Sequence, residues 1–296
     1  MHARPHSLEH ALELLQQRPW SILAGGTDFY PGLRDQAPTG AVIDITSIEA
    51  LRQISTDGGA VRIGALATWS ALVAADLPPA FDAIKAASLE VGSLQIQNRA
   101  TVVGNLCNAS PAADGVPPLL CLDAEVELTS VSGCRRVPLD QFIVGNRKTV
   151  RKPDELVTAI IIPAIACTGH SAFIKLGARR YLVISISMVA ANIALSGAGA
   201  IDRAAVAVGS CSEVARRLSS LEHWLHGRQS AEVLTNPAAD ALTASIQAAV
   251  AADLAPIDDV RATADYRIQA ASELVSRAVF QAIGQAAGSG GEGSNC

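Results

Sequence analysis

The spacing of apolar residues predicts short helices and strands through the first half of the chain. Leu8, Leu12 and Leu15 recur at helical spacing behind Ser7, a good helix-capping residue type, and Pro19 follows the predicted helix. Later apolar runs are short and bounded by glycine or proline, which is typical of strands. The pattern predicts strands over 20–24, 41–45, 52–54, 61–65, 124–131 and 156–162, and helices over 68–74 and 80–90.

Residues 91–111 show neither the helical nor the strand period. A segment of about 20 residues without regular structure is uncommon inside a compact domain and is usually functional. We therefore expect a functional loop here.

The pattern changes character near residues 165–170. Strand-like segments follow over 171–176, 183–195 and 200–209, and Ala-rich helical periods over 213–225, 238–252 and 262–286. We expect an α+β protein with a first domain over 1–167, a second domain of sheet plus helices over 168–287, and a disordered Gly/Ser-rich tail over 288–296.

The composition excludes several classes of protein. The 296 residues are 49% hydrophobic and 17% charged, with a formal net charge of −5. Basic residues are scattered, whereas nucleic-acid binding requires a clustered basic face, so we expect no nucleic-acid partner. An apolar chain of this kind is also consistent with a surface covered by other subunits.

The positive mean hydropathy of +0.28 does not come from a membrane span. The longest apolar run, 182–195, is interrupted by polar residues and is shorter than the ~20 residues that a spanning helix needs. The first ten residues lack the hydrophobic core of a signal peptide. The sequence therefore predicts a cytoplasmic protein without a membrane span.

The six cysteines include no C-x-x-C pair, and the six histidines include no H-E-x-x-H or H-x-H pair. Zinc sites and iron–sulfur clusters need such spacings, so we expect reduced thiols and no metal ligands in this chain.

A first glycine-bearing segment follows the predicted strand over 20–24. Backbone amides of such a turn can hold a negatively charged group, although a tight strand-to-helix turn is the alternative. The segment matches neither the G-x-G-x-x-G nor the P-loop pattern. It consists of Leu23, Ala24, Gly25, Gly26, Thr27, Asp28 and Phe29.

A second segment, 98–114, combines small residues, amide side chains, hydroxyls and one acid. Such residues let backbone amides approach a pyrophosphate while Asn and Asp bind sugar or ribityl hydroxyls. An ordinary loop with Asx turns explains any one of them but explains the whole run poorly. We expect Gly104 to adopt a positive φ and allow this close approach.

Together, A-G-G-T-D and N-R-A-T-x-x-G-N-x-x-N-A-S-P-A-A-D resemble the FAD-binding medium subunits of the xanthine dehydrogenase and carbon monoxide dehydrogenase family of molybdenum hydroxylases. Further motifs match in the same order, and the resemblance covers about residues 4 to 285. They are Gly145–Thr149, Pro153–Leu156, F-x-K-x-G-x-R-R from Phe173, and D-x-R-A-x-A-D-Y-R from Asp259.

The resemblance implies a vanillyl-alcohol-oxidase-type FAD-binding fold of two subdomains, followed by a C-terminal flavoprotein domain of antiparallel sheet plus helices. It implies non-covalent FAD, with no catalytic side chain and no metal in this chain. Its binding residues would be Leu23 to Phe29 and Thr101, Val102, Val103, Gly104 and Asn105 at the pyrophosphate, Asp114 at the adenosine or ribityl side, Val157 against the cofactor, and Lys175 at the isoalloxazine.

Two of these assignments have alternatives in the sequence itself. Asp114 would equally cap the helix that follows it. Lys175 lies in a predicted strand, where a lysine commonly occupies the solvent face. Beside the flavin, a cation would instead stabilise the anionic reduced form and tune its potential.

The resemblance also implies partners: a molybdopterin-binding large subunit that hydroxylates a purine, an N-heterocycle or a similar substrate, and a small subunit carrying [2Fe-2S] clusters, assembled as a dimer of heterotrimers. Asn146, Leu182 and Val183 depart from the pattern of NAD-using members, so the acceptor stays open among NAD, oxygen, a quinone and a cytochrome. A cell-wall precursor reductase and a flavin-free assembly subunit are the alternative functions. The C-terminal motif favours the hydroxylase subunit.

Overall fold

The computed structural model describes residues 1–34 and 36–289. Buried apolar side chains form two clusters. The first runs from Ala11 to Ala166 and includes three later alanines, Ala190, Ala205 and Ala207. The second runs from Ala172 to Ile283. The domain boundary expected at residues 167 and 168 stays a prediction.

Among the described residues the strands are β1 (His2–Ala3), β2 (Ser21–Leu23), β3 (Val42–Asp44), β4 (Ile54–Asp57), β5 (Ala60–Gly64), β6 (Glu125–Ser130), β7 (Gly133–Pro138), β8 (Ile143–Gly145), β9 (Lys148–Thr149), β10 (Leu156–Ile162), β11 (His170–Leu176), β12 (Ser187–Leu195), β13 (Ile201–Gly209) and β14 (Arg216–Arg217).

The helices of the same residues are α1 (Leu8–Gln17), α2 (Phe29–Leu33), α3 (Trp69–Ala74), α4 (Asp82–Glu90), α5 (Leu94–Gln97), α6 (Val102–Asn108), α7 (Val116–Cys121), α8 (Leu139–Phe142), α9 (Ser219–Leu225), α10 (Ser230–Leu234), α11 (Asn236–Asp253) and α12 (Ala264–Ser289). Short 3-10 turns cover Glu49–Arg52, Pro79–Phe81 and Ala164–Cys167. Within residues 1–34 and 36–289, none of the helices combines the length and the hydropathy of a membrane-spanning segment.

Three sheets organise the described part of the chain, together with the small hairpin β8–β9. A parallel sheet has the order β1-β3-β2, and an antiparallel sheet has the order β4-β5-β10-β6-β7. The third sheet is antiparallel, in the order β11-β12-β13-β14. This architecture is the expected α+β class.

The third sheet is buried on both faces because of the alternation of side chains along its strands. On β12, Ala190 faces the first cluster while Val189 and Ala191 face the second. Successive strand residues point to opposite faces, so the small alanines lie together on one side. That side packs against α7, and all six residues of α7 are buried. The second cluster, with α12, covers the opposite face.

Most of the predicted elements of the first half are confirmed. Ser7 caps α1, since its hydroxyl accepts a hydrogen bond from the amide of His10 at 3.2 Å. The strands predicted over 20–24, 41–45, 61–65, 124–131 and 156–162 are β2, β3, β5, β6 and β10. The helices predicted over 68–74 and 80–90 are α3 and the turn of Pro79–Phe81 with α4.

Other predictions were wrong in identifiable ways. Residues 91–111 contain α5 and α6, which are too short to show a helical period. Arg52 ends a 3-10 turn, and the strand begins at Ile54. Only Ser187 onward of the segment 183–195 is strand, and the helix predicted from residue 213 begins at Ser219. Gly288 and Ser289 continue α12 rather than a disordered tail. The rest of that predicted tail, residues 290–296, lies outside the described residues.

A buried carboxylate anchors the segment that leads into β10. Arg135 of β7 donates to both carboxylate oxygens of Glu155, at 2.6 and 2.9 Å, and the amide of Lys152 donates to the same group at 2.8 Å. The Glu155 side chain is only 6% exposed. The hydrogen bonds from Arg135 hold the pKa of Glu155 below its usual value.

We predict that Glu155→Gln lowers the free energy of unfolding by about 1–3 kcal/mol at pH 7, because Arg135 loses its ionised partner. The folded pKa is lowered, so this stabilisation is present above the unfolded pKa and is lost as the pH falls through the folded pKa. Urea unfolding of both proteins between pH 7 and pH 3 measures the difference, which should shrink with acid. Glu13→Gln on the exposed face of α1 is the control, and an equal loss at both ends of the pH range would contradict the electrostatic explanation.

Candidate functional site

A cleft of about 450 Å³ opens between the first glycine-bearing segment, α6 and the start of β10. Ligand pockets in proteins commonly have volumes of 300–1,000 Å³, so this cleft can hold a substantial part of a dinucleotide. Its walls come from parts of the chain that are distant in sequence and converge only in the fold.

The first wall consists of residues 24–29, which run from the end of β2 to the first residue of α2. Gly25 lies directly against the backbone of the second segment: a β-carbon there would collide with the carbonyl oxygen of Arg99 and would stand 2.9 Å from Cα of Ala100. Gly26 has φ +78°, in the left-handed region that favours glycine. Only the glycine pair allows this turn to pack so tightly.

The second wall is the first turn of α6. Thr101 caps the helix by accepting a hydrogen bond from the amide of Gly104 at 2.9 Å. Gly104 has no positive φ, so the conformation expected for it is wrong. Glycine is needed at this position for steric reasons, since a β-carbon would lie 2.7 Å from Oγ1 of Thr101.

Arg147 connects the two walls at the rim of the cleft. Its guanidinium donates to the carboxylate of Asp28 at 2.7 Å and also to the side-chain oxygen of Asn108. The amide of Arg147 donates to the carbonyl of Ala109 at 2.9 Å. The turn between β8 and β9 therefore fastens the first segment to the end of α6.

Cationic and polar groups suit this cleft to an anionic, hydroxyl-bearing ligand. Arg151 lines it, held by hydrogen bonds from its guanidinium to the carbonyls of Lys152 and Glu155 at 3.0 and 2.7 Å. Two further lining residues have buried polar atoms without a partner among the described residues, Nε1 of Trp69 and Oδ1 of Asn105. Gly25 and Gly26 bring the backbone to the surface of the cleft, and Arg151 supplies a positive charge there, as a diphosphate group requires. The residues present therefore fit FAD.

Asp114 and Lys175 form a buried ion pair with each other. Nζ of Lys175 lies 2.7 Å from Oδ2 of Asp114, with side-chain exposures of 8% and 9%. The hydroxyl of Ser185 donates to the other carboxylate oxygen at 2.5 Å. Burial raises the pKa of Asp114, although Lys175 and Ser185 oppose that shift. Lys175 is thus directed inward and not to solvent.

The structure brings most of the predicted binding residues to one cleft. Leu23 and Val102 are buried, and neither they nor the Asp114–Lys175 pair line it. The roles of all predicted residues as FAD contacts stay predictions. Those that line the cleft are Ala24, Gly25, Gly26, Thr27, Asp28, Phe29, Thr101, Val103, Gly104, Asn105 and Val157.

Sequence reasoning missed three polar lining residues, Trp69, Asn108 and Arg151. Asn108 stands inside the second segment and could have been included with Asn105. Arg151 follows the Gly145–Thr149 motif closely. Trp69 carries no signal in the sequence, because its position depends on a bond from its amide to the carbonyl of Ala100 at 3.2 Å.

Two family models together match most of the chain. Residues 2–165 match the FAD binding domain in molybdopterin dehydrogenase. Residues 172–282 match the carbon monoxide dehydrogenase flavoprotein C-terminal domain.

Individual relatives agree with this match. The carbon monoxide dehydrogenase medium chain of Afipia carboxidovorans is 31% identical over 293 residues, 96% of each chain. The putative xanthine dehydrogenase FAD-binding subunit of Escherichia coli K12 is 29% identical over 290 residues, also 96% of each. A nicotinate dehydrogenase FAD-subunit of Eubacterium barkeri is 37% identical over 190 residues, which span 62% of this chain and 64% of that one.

A solved structure is similar over nearly the whole length. A chain of reconstituted carbon monoxide dehydrogenase from Oligotropha carboxidovorans superposes with a TM-score of 0.85 at 30% identity, covering 96% of this chain and 97% of that chain.

We predict that Gly25→Ala abolishes flavin retention, because the new methyl group collides with the Arg99 carbonyl and forces the two walls apart. Flavin absorbance per chain after purification measures the effect. Gly40→Ala is the control, since nothing lies within 4 Å of a β-carbon there. Circular dichroism shows whether the variant is folded, and a folded Gly25→Ala protein with full flavin would contradict the role of this contact.

Proposed function

The chain belongs to the family of FAD-binding medium subunits of xanthine dehydrogenase-type and carbon monoxide dehydrogenase-type molybdenum hydroxylases, and we propose that it binds one FAD non-covalently in the cleft and relays electrons through it. The convergence of the two glycine-bearing segments on one cleft carries this proposal. Bound FAD supplies redox chemistry, since a flavin can exchange electrons singly or in pairs.

The protein's own residues position the cofactor. The backbone of residues 24–29 and the start of α6 bind the diphosphate, and Arg151 adds a positive charge there. Arg147 closes the rim by bridging Asp28 and Asn108. Val157 packs against the cofactor, and Asp114 with Lys175 sets the electrostatic environment of the flavin. No side chain of this chain acts as a nucleophile.

The partners follow from the family. This chain takes electrons from [2Fe-2S] clusters of a small subunit, while the substrate, a purine, an N-heterocycle or a similar molecule, is hydroxylated on a molybdopterin-binding large subunit. Relatives named medium chain or medium subunit support such an assembly. A dimer of heterotrimers and a cytoplasmic location stay predictions.

The match of residues 172–282 favours the hydroxylase subunit over the cell-wall precursor reductase.

The loop between β11 and β12 bears on which acceptor takes the electrons from the flavin. Tyr181, Leu182 and Ile184 form an exposed apolar loop between β11 and β12. Many members of the family carry an acid at the position of Leu182 or Val183, and in NAD-reducing members this region borders the flavin face that the nicotinamide uses. We therefore expect oxygen or an artificial dye to serve at least as well as NAD.

Purification of the full chain tests FAD binding directly. We expect one FAD per chain, released completely into the supernatant after acid precipitation, because no covalent link is formed. Yellow colour in the washed pellet would contradict non-covalent binding. A folded, colourless protein that takes up no added FAD would instead favour the flavin-free assembly subunit.

Substitutions of the two members of the Asp114–Lys175 pair should shift the flavin reduction potential in opposite directions. Lys175→Met should lower the flavin potential, because the negative charge of the reduced flavin loses a nearby cation. Asp114→Asn should raise it, because Lys175 loses its compensating carboxylate. For a two-electron couple, about 1.4 kcal/mol corresponds to roughly 30 mV, and we expect shifts of about this size.

Spectroelectrochemical titration of the three proteins measures these shifts. Lys85→Met is the control, since the Lys85 ammonium donates to the carbonyl of Ala75 and not to an acid. Shifts of the same sign in both variants would indicate a structural disturbance and would contradict the electrostatic role.

A further inference from the structure

We infer that Arg147 governs how fast the flavin nucleotide enters and leaves the cleft, because it holds the two walls of the cleft together through a clasp. The clasp consists of Arg147, Asp28 and Asn108. Asp28 and Asn108 line the cleft, one on each wall, and Arg147 acts through them as a positioning residue that needs no contact with the cofactor. This inference rests on the proposed function and extends it from the binding of FAD to its exchange.

The two walls are joined at both ends of α6. At its start, Gly25 packs against the carbonyl of Arg99 so closely that no β-carbon fits between them. At its end, the guanidinium of Arg147 donates to the carboxylate of Asp28 at 2.7 Å and to the side-chain oxygen of Asn108, the last residue of α6. An α-helix rises about 1.5 Å per residue, so the length of α6 separates the two joints by roughly 10 Å.

The joint at the end of α6 is the weaker of the two. The side chains of Arg147 and Asp28 are 58% and 55% exposed. An exposed ion pair contributes little to stability and is screened by salt, so it breaks and re-forms readily. The joint at Gly25 is instead a close approach of two stretches of backbone, and Ala100 beside it is buried. The walls therefore part at the clasp while they stay joined at Gly25.

The hairpin β8–β9 is anchored at its base and holds Arg147 at its tip. Phe142 and Ile143 at the base are buried, and the amide of Val150 donates to the carbonyl of Phe142 at 3.0 Å. At the tip, the amide of Arg147 donates to the carbonyl of Ala109 at 2.9 Å. Arg147 and Ala109 have φ of +59° and +49°, in the left-handed region that is costly for residues other than glycine. Backbone strain of this kind is concentrated at functional sites, and here it places the guanidinium between the two walls.

The composition of the clasp determines its effect on the two rates. The clasp is made only of the chain's own side chains, so it forms whether or not a cofactor occupies the cleft. Breaking it is therefore a cost of both entry and exit. Loss of the clasp accelerates association and dissociation by the same factor and leaves the dissociation constant unchanged, whereas loss of a direct contact with the cofactor raises the dissociation constant.

The first test measures FAD association and dissociation by stopped-flow flavin fluorescence, with full-length proteins stripped of flavin. We expect Arg147→Met to accelerate both rates about fivefold, the upper range for an exposed ion pair, with little change in the dissociation constant. Lys148→Met is the matched control, because it removes the same charge from the next exposed position of the hairpin. In an Asp28→Ala background the effect of Arg147→Met should largely disappear, because the clasp is already broken there.

The second test repeats these measurements at increasing salt, which a merely structural role of Arg147 would not make the rates follow. The Debye length falls from about 10 Å at 0.1 M to about 3 Å at 1 M ionic strength. The rates of Arg147→Met relative to Lys148→Met should fall from about fivefold towards equality over this range. Comparison of two variants of equal charge cancels the effect of salt on the anionic cofactor.

Three results would overturn the clasp. They are equal rates in Arg147→Met and Lys148→Met at low salt, faster dissociation without faster association, and a ratio of rates that does not change with salt. The second of these would indicate that Arg147 supports the bound cofactor directly. Wild-type protein that binds no FAD would instead overturn the proposed function itself.

Discussion

The close contact between Gly25 and the backbone of Arg99 and Ala100 is the constraint on which the cleft depends. No side chain fits between these two stretches of backbone. The carbonyl of Ala100 also accepts a hydrogen bond from the amide of Trp69, and Thr101 forms an isolated β-bridge with Thr68. One tight backbone approach therefore sets the position of α3, the start of α6 and the first glycine turn. Both walls of the cleft depend on this framework.

Helix α7 connects the first half of the chain to the third sheet by packing against it. It packs between the first cluster and the alanine face of β12 and β13, where small side chains permit close approach. Arg203 and Arg217 both bond to Asp123 just after α7, at 2.6 and 2.7 Å. Asp114 lies just before α7 and bonds to Lys175. Charged contacts at both ends thus hold the helix in register with the third sheet.

The C-terminal motif that begins at Asp259 is connected by hydrogen bonds to the residues around the Asp114–Lys175 pair. The carboxylate of Asp259 accepts a hydrogen bond from Nη2 of Arg267 at 2.7 Å, and Nη1 of Arg267 donates to the carbonyls of Ile186 and Ser210. Ile186 follows Ser185, whose hydroxyl holds Asp114. A motif that begins at Asp259, far from Asp114 in sequence, therefore helps to position the buried ion pair. Its residues act through packing and hydrogen bonds, not through contact with the cleft.

Local signals were enough to predict the α+β class, most strands of the first half and the two glycine-bearing segments that line the cleft, because alternation, helix caps and glycine spacing are all read over a few residues. The remaining features depend on contacts between distant parts of the chain. The helices α5 and α6 are too short to leave a detectable period, and Gly104 is needed for space beside Thr101 rather than for a positive φ. Lys175 turns inward because Asp114 meets it across 61 residues of chain. Trp69 reaches the cleft through a backbone bond to Ala100. Such contacts join distant residues, and no local pattern encodes which distant groups will meet.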